Sequence, residues 1–163
     1  MKTVILIRHA KSDQYSFNKD ISRPLNERGL RDAPVMAKRL REKIPVVNAL
    51  ITSPSLRTQT TAGFFADEYG IDRSSIIIAD PLYLAGENTI IDVIASTDER
   101  LDTIAVFCHN PGITYLAATL VSTIQIDNMP TCGMLAVTAD ISSWAAFAKA
   151  KKAFLFFDYP KNN

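Results

Sequence analysis

Little in this chain can carry redox or metal chemistry. It has 163 residues, of which only two are cysteines, Cys108 and Cys132, and only two are histidines, His9 and His109. Two cysteines do not make a disulfide framework at this length. Long hydrophobic runs are missing too. The opening stretch Met1-Lys2-Thr3-Val4-Ile5-Leu6-Ile7 meets Arg8 too soon for the roughly 7–15 apolar residues of a secretory core or the roughly 18 of a membrane span. The expectation is a protein that begins at Met1, stays in the cytoplasm and keeps both thiols reduced. An excess of either charge is also absent. Lys+Arg total 18 against 17 Asp+Glu, a formal net charge of +1, so no cationic surplus exists to coat a nucleic-acid backbone. With 47% hydrophobic and 21% charged residues, and only 6 Gly and 8 Pro, disorder and fibrous architectures are excluded. The partners expected are small or protein-borne; neither nucleic acid nor membrane is implied, and the oligomeric state is not readable.

No repeat, low-complexity tract or linker divides the chain, so one domain over residues 1–163 is expected. Short apolar runs alternate with longer amphipathic ones. Thr3–Ile7, Asn48–Thr52, Ser75–Ala79, Thr103–Cys108, Met134–Thr138 and Ala153–Phe157 read as strands. Between them, Leu30, Ala33, Ala37, Leu40 and Ile44 follow helical spacing behind Asn26 as N-cap; Pro34 predicts a kink there, or a later start. Ala62, Phe65, Ala66 and Tyr69 line a second helix, introduced by Ser53-Pro54 as N-cap and first helical position. Ile90–Ala95 and Ile113–Ser122 supply two more. Such alternation predicts an α/β fold, a three-layer α/β/α sandwich on a mainly parallel central sheet. The closely spaced C-terminal strands allow one antiparallel edge strand.

Ligands of such sheets bind beyond the carboxyl ends of the strands, and the chemistry of this sequence gathers there. The first strand runs into Arg8-His9-Ala10-Lys11-Ser12, the second into Ser53-Pro54-Ser55-Leu56-Arg57, and the fourth into His109-Asn110-Pro111-Gly112. Each segment alone reads equally well as an ordinary loop, helix start or turn. Together they place two imidazoles, two guanidiniums and a helix start on one rim, which suits a dianion. Phosphate is the natural candidate, since guanidinium donors match its oxygens. No metal is implied, because flanking arginines repel a cation and the histidines lack partner ligands. No glycine-rich P-loop occurs. Cys108 adjoins His109, but strand alternation turns its thiol toward the core.

In these segments the chain resembles the histidine phosphatase superfamily, the phosphoglycerate mutase-like fold. Arg8-His9-Ala10 is similar to its Arg-His-Gly signature, Ser53-Pro54-Ser55-Leu56-Arg57-Thr58-Gln59-Thr60 to its second motif, and His109-Asn110-Pro111 to its second histidine. Arg23-Pro24-Leu25, Arg28-Gly29 and the short length resemble the SixA phosphohistidine phosphatase branch most. The resemblance implies a metal- and cofactor-independent phosphatase. In it His9 is the nucleophile, Arg8 and Arg57 grip the phosphoryl oxygens, and His109 donates to them as imidazolium. Arg23 and Ser12 are further phosphate ligands.

Two departures stand out. Ala10 replaces the usual Gly. The stretch Asp80-Pro81-Leu82-Tyr83-Leu84-Ala85-Gly86-Glu87 is apolar where many relatives carry a proton-donating Glu. Glu87 is the nearest candidate donor, and it is equally placed to sit in the first turn of the next helix, where a carboxylate suits the dipole. A departing alkoxide needs a proton, whereas phosphohistidine can be protonated by solvent on its free ring nitrogen. Protein phosphohistidine is therefore the expected substrate. A small-molecule phosphomonoester is the alternative, and a non-catalytic phosphate-binding module the third reading.

Overall fold

A computed structural model describes residues 1–162. The chain runs β1 (Lys2–Arg8), α1 (Glu27–Lys43), β2 (Ala49–Thr52), α2 (Leu56–Tyr69), β3 (Ile77–Ile78), α3 (Glu87–Ala95), β4 (Thr103–Cys108), α4 (Gly112–Leu120), β5 (Met134–Ala139) and β6 (Lys152–Asp158). The strands form one six-stranded sheet in the order β3-β2-β4-β1-β5-β6. Pairing is parallel from β3 to β1. At the C-terminal edge β5 is antiparallel to both β1 and β6, so the reversed strand lies one in from the edge.

Strand alternation divides the core into two. Val4 and Leu6 of β1 face α3, α4 and the buried Trp144, whereas Ile5 and Ile7 face α1 and α2. Both faces being covered, β1 and β4 carry apolar side chains at successive positions, as buried parallel strands require.

Four local expectations change. Helix α1 starts at Glu27, where the Asn26 side chain accepts from the Gly29 amide, so Pro34 neither delays nor shortens it. Pro34 lies on the exposed side of the helix. Leu30 is itself exposed, and Met36 takes its place in the core. The cause is Gly29: a Cβ there would stand 2.1 Å from the carbonyl oxygen of Lys11, so this side of the helix packs directly on backbone. The third strand shrinks to Ile77–Ile78. Asp72 caps a 3-10 turn at Arg73–Ser75, which draws Ser75 and Ile76 out of the ladder. Finally, Ser55 rather than Ser53 caps α2, its hydroxyl accepting from the Thr58 amide. Among the described residues no helix is long and apolar enough to cross a membrane.

Candidate active site

Sheet register alone brings the two histidines together. Arg8 pairs with Cys108 in the parallel β1–β4 ladder, so His9 and His109 leave adjacent strands side by side. Their rings lie 5.4 Å apart between centroids, close to the spacing of neighbouring strands. Strand β2 ends on the other flank of β4, where the Ser53 amide donates to the Phe107 carbonyl at 3.2 Å. The first turn of α2 then carries Arg57 into the same crevice, buried to 2% exposure. Arg23 arrives by a different route. Ser12 and Leu25 form an isolated antiparallel bridge, and the Asn26 amide donates to the Lys11 carbonyl. This local pairing lays Arg23 beside Ser12, to whose hydroxyl it donates.

The result is a cavity of about 230 Å³ lined by Arg8, His9, Ser12, Arg23, Arg57 and His109, with Lys11, Gln14, Asp20, Leu84, Asn110 and Thr131. A larger cavity of about 520 Å³ lies between β3 and α3, but no Arg, Lys or His lines it. Six of the seven residues singled out from the sequence therefore meet in one cup. The seventh, Glu87, does not. It sits in the first turn of α3 and accepts from the Thr119 hydroxyl at 2.9 Å. Thr119 is in the last turn of α4, roughly 10 Å along the helix from Gly112. The fold gives Glu87 a first-turn place beside the helix N-terminus, where a carboxylate suits the dipole.

Hydrogen bonding assigns the protons. The Nδ1 of His9 lies 2.7 Å from the Ala10 carbonyl oxygen. A carbonyl only accepts, so Nδ1 carries the proton and Nε2 keeps its lone pair. Burial, with Arg8, His109 and Arg57 nearby, pushes the His9 pKa down to about 3 even though the Ala10 bond opposes the shift. In His109, Nδ1 accepts from the Arg57 guanidinium at 3.4 Å and Nε2 lies 2.7 Å from Ser53 Oγ. Burial first, then Arg57, brings its pKa down to about 4. His109 is thus neutral near pH 7, not the imidazolium expected from the sequence: a third positive neighbour is unaffordable beside buried guanidiniums.

Two donors in the cup stand out. The Nε atoms of Arg8 and Arg57 are both buried with no hydrogen-bond partner. Buried N–H groups are costly to leave unpaired, so both guanidiniums lining the cup keep unused donor capacity. Arg8 is fixed by donating to the Met129 carbonyl at 2.9 Å. The α4 terminus contributes less than its sequence suggests, since Pro111 has no N–H and the Ile113 amide donates to the His109 carbonyl. Cys108 packs in the core on the α3–α4 side, and burial raises its thiol to about 12.

Sequence reasoning missed three contributors. Ser53 holds His109 rather than capping a helix. Tyr83 packs edge-on against His109, with ring centroids 5.7 Å apart. Asp20 joins Arg57, Arg23 and Tyr83. Only its i,i+3 spacing to Arg23 hinted at this, and that spacing is common to many surface ion pairs.

Comparison with known proteins agrees with this geometry. A family model described as the histidine phosphatase superfamily (branch 1) matches residues 4–81. An uncharacterized Mycobacterium tuberculosis protein is 30% identical over 164 aligned positions, covering 95% of this chain and 100% of that one. Among solved structures, a candidate phosphohistidine phosphatase SixA from Nakamurella multipartitia superposes with a TM-score of 0.86 at 24% identity, over 98% of this chain and 96% of that one. The protein histidine phosphatase SixA complexed with tungstate gives 0.81 at 23% identity, over 98% of both. The mycobacterial glucosyl-3-phosphoglycerate phosphatase gives 0.65 at 14%, again over 98% of both. Motifs in order along the chain, their convergence on one cup, and these matches lead to one conclusion: the chain belongs to the histidine phosphatase superfamily.

Proposed function

We propose that the protein is a phosphatase that takes a phosphoryl group onto His9, with protein phosphohistidine as its substrate. The observation that carries this reading is the His9 tautomer. With Nδ1–H bound to Ala10 O and the ring held neutral, Nε2 is a free nucleophile among cations that draw phosphate to it. Arg8 and Arg57, which line the cup, offer guanidinium N–H groups to the equatorial oxygens, where charge gathers in a loose transition state. Arg23, with Ser12, closes the clamp. His109 contributes as a neutral ring: its Nδ1 accepts from Arg57, so its proton sits on Nε2 and is donated to Ser53 Oγ, and the ring orients the Arg57 guanidinium toward the phosphoryl group. Water then attacks the phosphoenzyme on the face the leaving group has vacated. The charge needed for oxyanion binding is supplied by guanidiniums, so the scheme requires no metal.

Three observations support phosphohistidine over a small metabolite. Neither nearby carboxyl group can protonate an alkoxide: Glu87 is held by Thr119 away from the cup, and Asp20 in the cup is kept ionised by Tyr83, Arg57 and Arg23. The cavity, about 230 Å³, is smaller than the roughly 300–1,000 Å³ typical of small-molecule sites. Leu84, an apolar side chain exposed at 55%, lines it, which suits contact with a protein surface. The SixA structure solved with tungstate, a tetrahedral oxyanion, belongs to a protein histidine phosphatase with this fold.

The test is phosphoenzyme trapping. A ³²P-labelled phosphohistidine peptide should leave an acid-labile, alkali-stable label on the protein, and His9→Ala should abolish both label and turnover. A His9→Ala protein that still turns over substrate would remove the nucleophile from the scheme, and a wild-type protein that binds phosphate without labelling would be a binding module.

A further inference from the structure

Asp20 is the one carboxylate among the residues lining the cationic cup. Its position is specific. Oδ1 accepts from Arg23 at 3.2 Å, Oδ2 accepts from Arg57 at 3.1 Å and from the Tyr83 hydroxyl, and its backbone carbonyl accepts from Arg57 at 2.8 Å. Its side chain is 47% exposed, whereas His9 and His109 beneath it are 6% and 2% exposed. Asp20 therefore stands at the mouth and the histidines at the floor. For capturing a phosphate dianion alone, this carboxylate is a handicap: it shares the Arg57 and Arg23 donors and repels the ligand.

Its place fits the leaving group instead. In-line transfer puts the departing atom opposite the attacking one, so with His9 at the floor the leaving group points out past Asp20. An alkoxide or phenolate developing negative charge there is repelled. An imidazole is not, because the ring nitrogen remote from phosphorus carries an N–H with partial positive charge. A carboxylate offers about four acceptor directions; Arg23, Arg57 and Tyr83 use three, which leaves one on a half-exposed side chain. Tyr83 first, then Arg57 and Arg23, hold the Asp20 carboxyl down to about 2, so it stays an acceptor at any working pH.

Building on the phosphatase reading above, we infer that Asp20 is a specificity-determining residue that selects an imidazole leaving group by accepting a hydrogen bond from its remote ring N–H. The step balances as follows. Solvent protonates the remote nitrogen of the substrate's phosphoimidazole. The Nε2 lone pair of His9 forms the new P–N bond, and the electron pair of the old P–N bond returns to the departing ring. That ring leaves as neutral imidazole with its remote N–H still bound to Asp20, which gains no proton. By favouring the protonated ring, the carboxylate raises the reactive fraction of substrate.

The experiment compares Asp20→Asn with the wild type on two substrates, a phosphohistidine peptide and p-nitrophenyl phosphate, whose leaving group is anionic and needs no proton. The ratio of their kcat/KM values should fall at least about tenfold in the variant, the loss expected for one hydrogen bond to a charged group. The alkaline limb of the phosphohistidine profile should also move to lower pH. Vanadate affinity reports whether the cup has survived and should be equal or tighter without the rim charge. A proportionate loss on both substrates, or weaker vanadate binding, would make Asp20 a support for the arginines and overturn the inference. Turnover of p-nitrophenyl phosphate by the wild type with none of phosphohistidine would sink the inference but not the phosphatase reading; absence of the His9 label from both substrates, or turnover by His9→Ala, would remove that reading.

Discussion

Folding buries two neutral imidazoles, and this makes stability fall on mild acidification. An unfolded histidine titrates near 6.5, whereas His9 and His109 are held down to about 3 and about 4 in the folded protein. Between those limits the unfolded chain binds more protons than the native one, so stability rises with pH and is fully present only above the unfolded value. From pH 7 down to pH 5, each ring costs about 1.9 kcal/mol, slightly less for His109, and roughly 3–4 kcal/mol together. At this chain length that is a fall in Tm on the order of 10 °C. The window isolates the effect. These are the chain's only histidines, and the depressed carboxyl of Asp20, at about 2, contributes stability lost only at more acid pH. Urea midpoints at pH 7 and 5, in phosphate-free buffer so that bound oxyanion adds nothing, measure it directly. His9→Asn and His109→Asn should each remove about half of the difference. A difference under about 1 kcal/mol, or one that persists in the double variant, would show that these rings are not buried neutral and would refute the electrostatic account of the cup.

Arg57→Ala should weaken vanadate binding at least about tenfold, since a buried charged donor is lost; isothermal titration showing unchanged affinity would place Arg57 outside the oxyanion site. Glu87→Gln should leave kcat/KM on alkyl, aryl and phosphohistidine substrates within about twofold of wild type, because its carboxylate serves α3 and Thr119; a selective loss on alkyl phosphates would restore it as proton donor. Gly112→Ala should cost about 2 kcal/mol or more in chemical denaturation. The new Cβ would meet the Ala85 carbonyl oxygen at 1.9 Å, and a protein of wild-type stability would show that this approach of α4 to the 84–86 segment is looser than described.

Much of this was written locally in the chain. The β-branched run of β1 and the apolar β4, with periodic helices between, specify a covered parallel sheet because side-chain period reports burial directly. Once the strands are parallel, Arg8-His9 and His109 must come out on one rim, so the floor of the cup was legible. Asn26 as a cap was legible too, being a contact three residues long.

What sequence spacing could not reach were contacts between distant segments and the charge states they impose. Ser53 reads as a helix start until the fold sets it against a ring 56 positions away. Tyr83 meets Asp20 across 63 positions, and no local periodicity records such a pair. Glu87 follows the right loop for a proton donor, yet the packing of α3 on α4 turns it to Thr119. Leu30 has core spacing, but the close seat of Gly29 on Lys11 rotates it into water. The amino-acid order thus determined which groups end the strands and that they gather for an anion. Tertiary structure alone decided that both imidazoles are neutral and that the cup's single carboxylate stands at its mouth, because desolvation and Coulomb interaction depend on distance in space rather than along the chain.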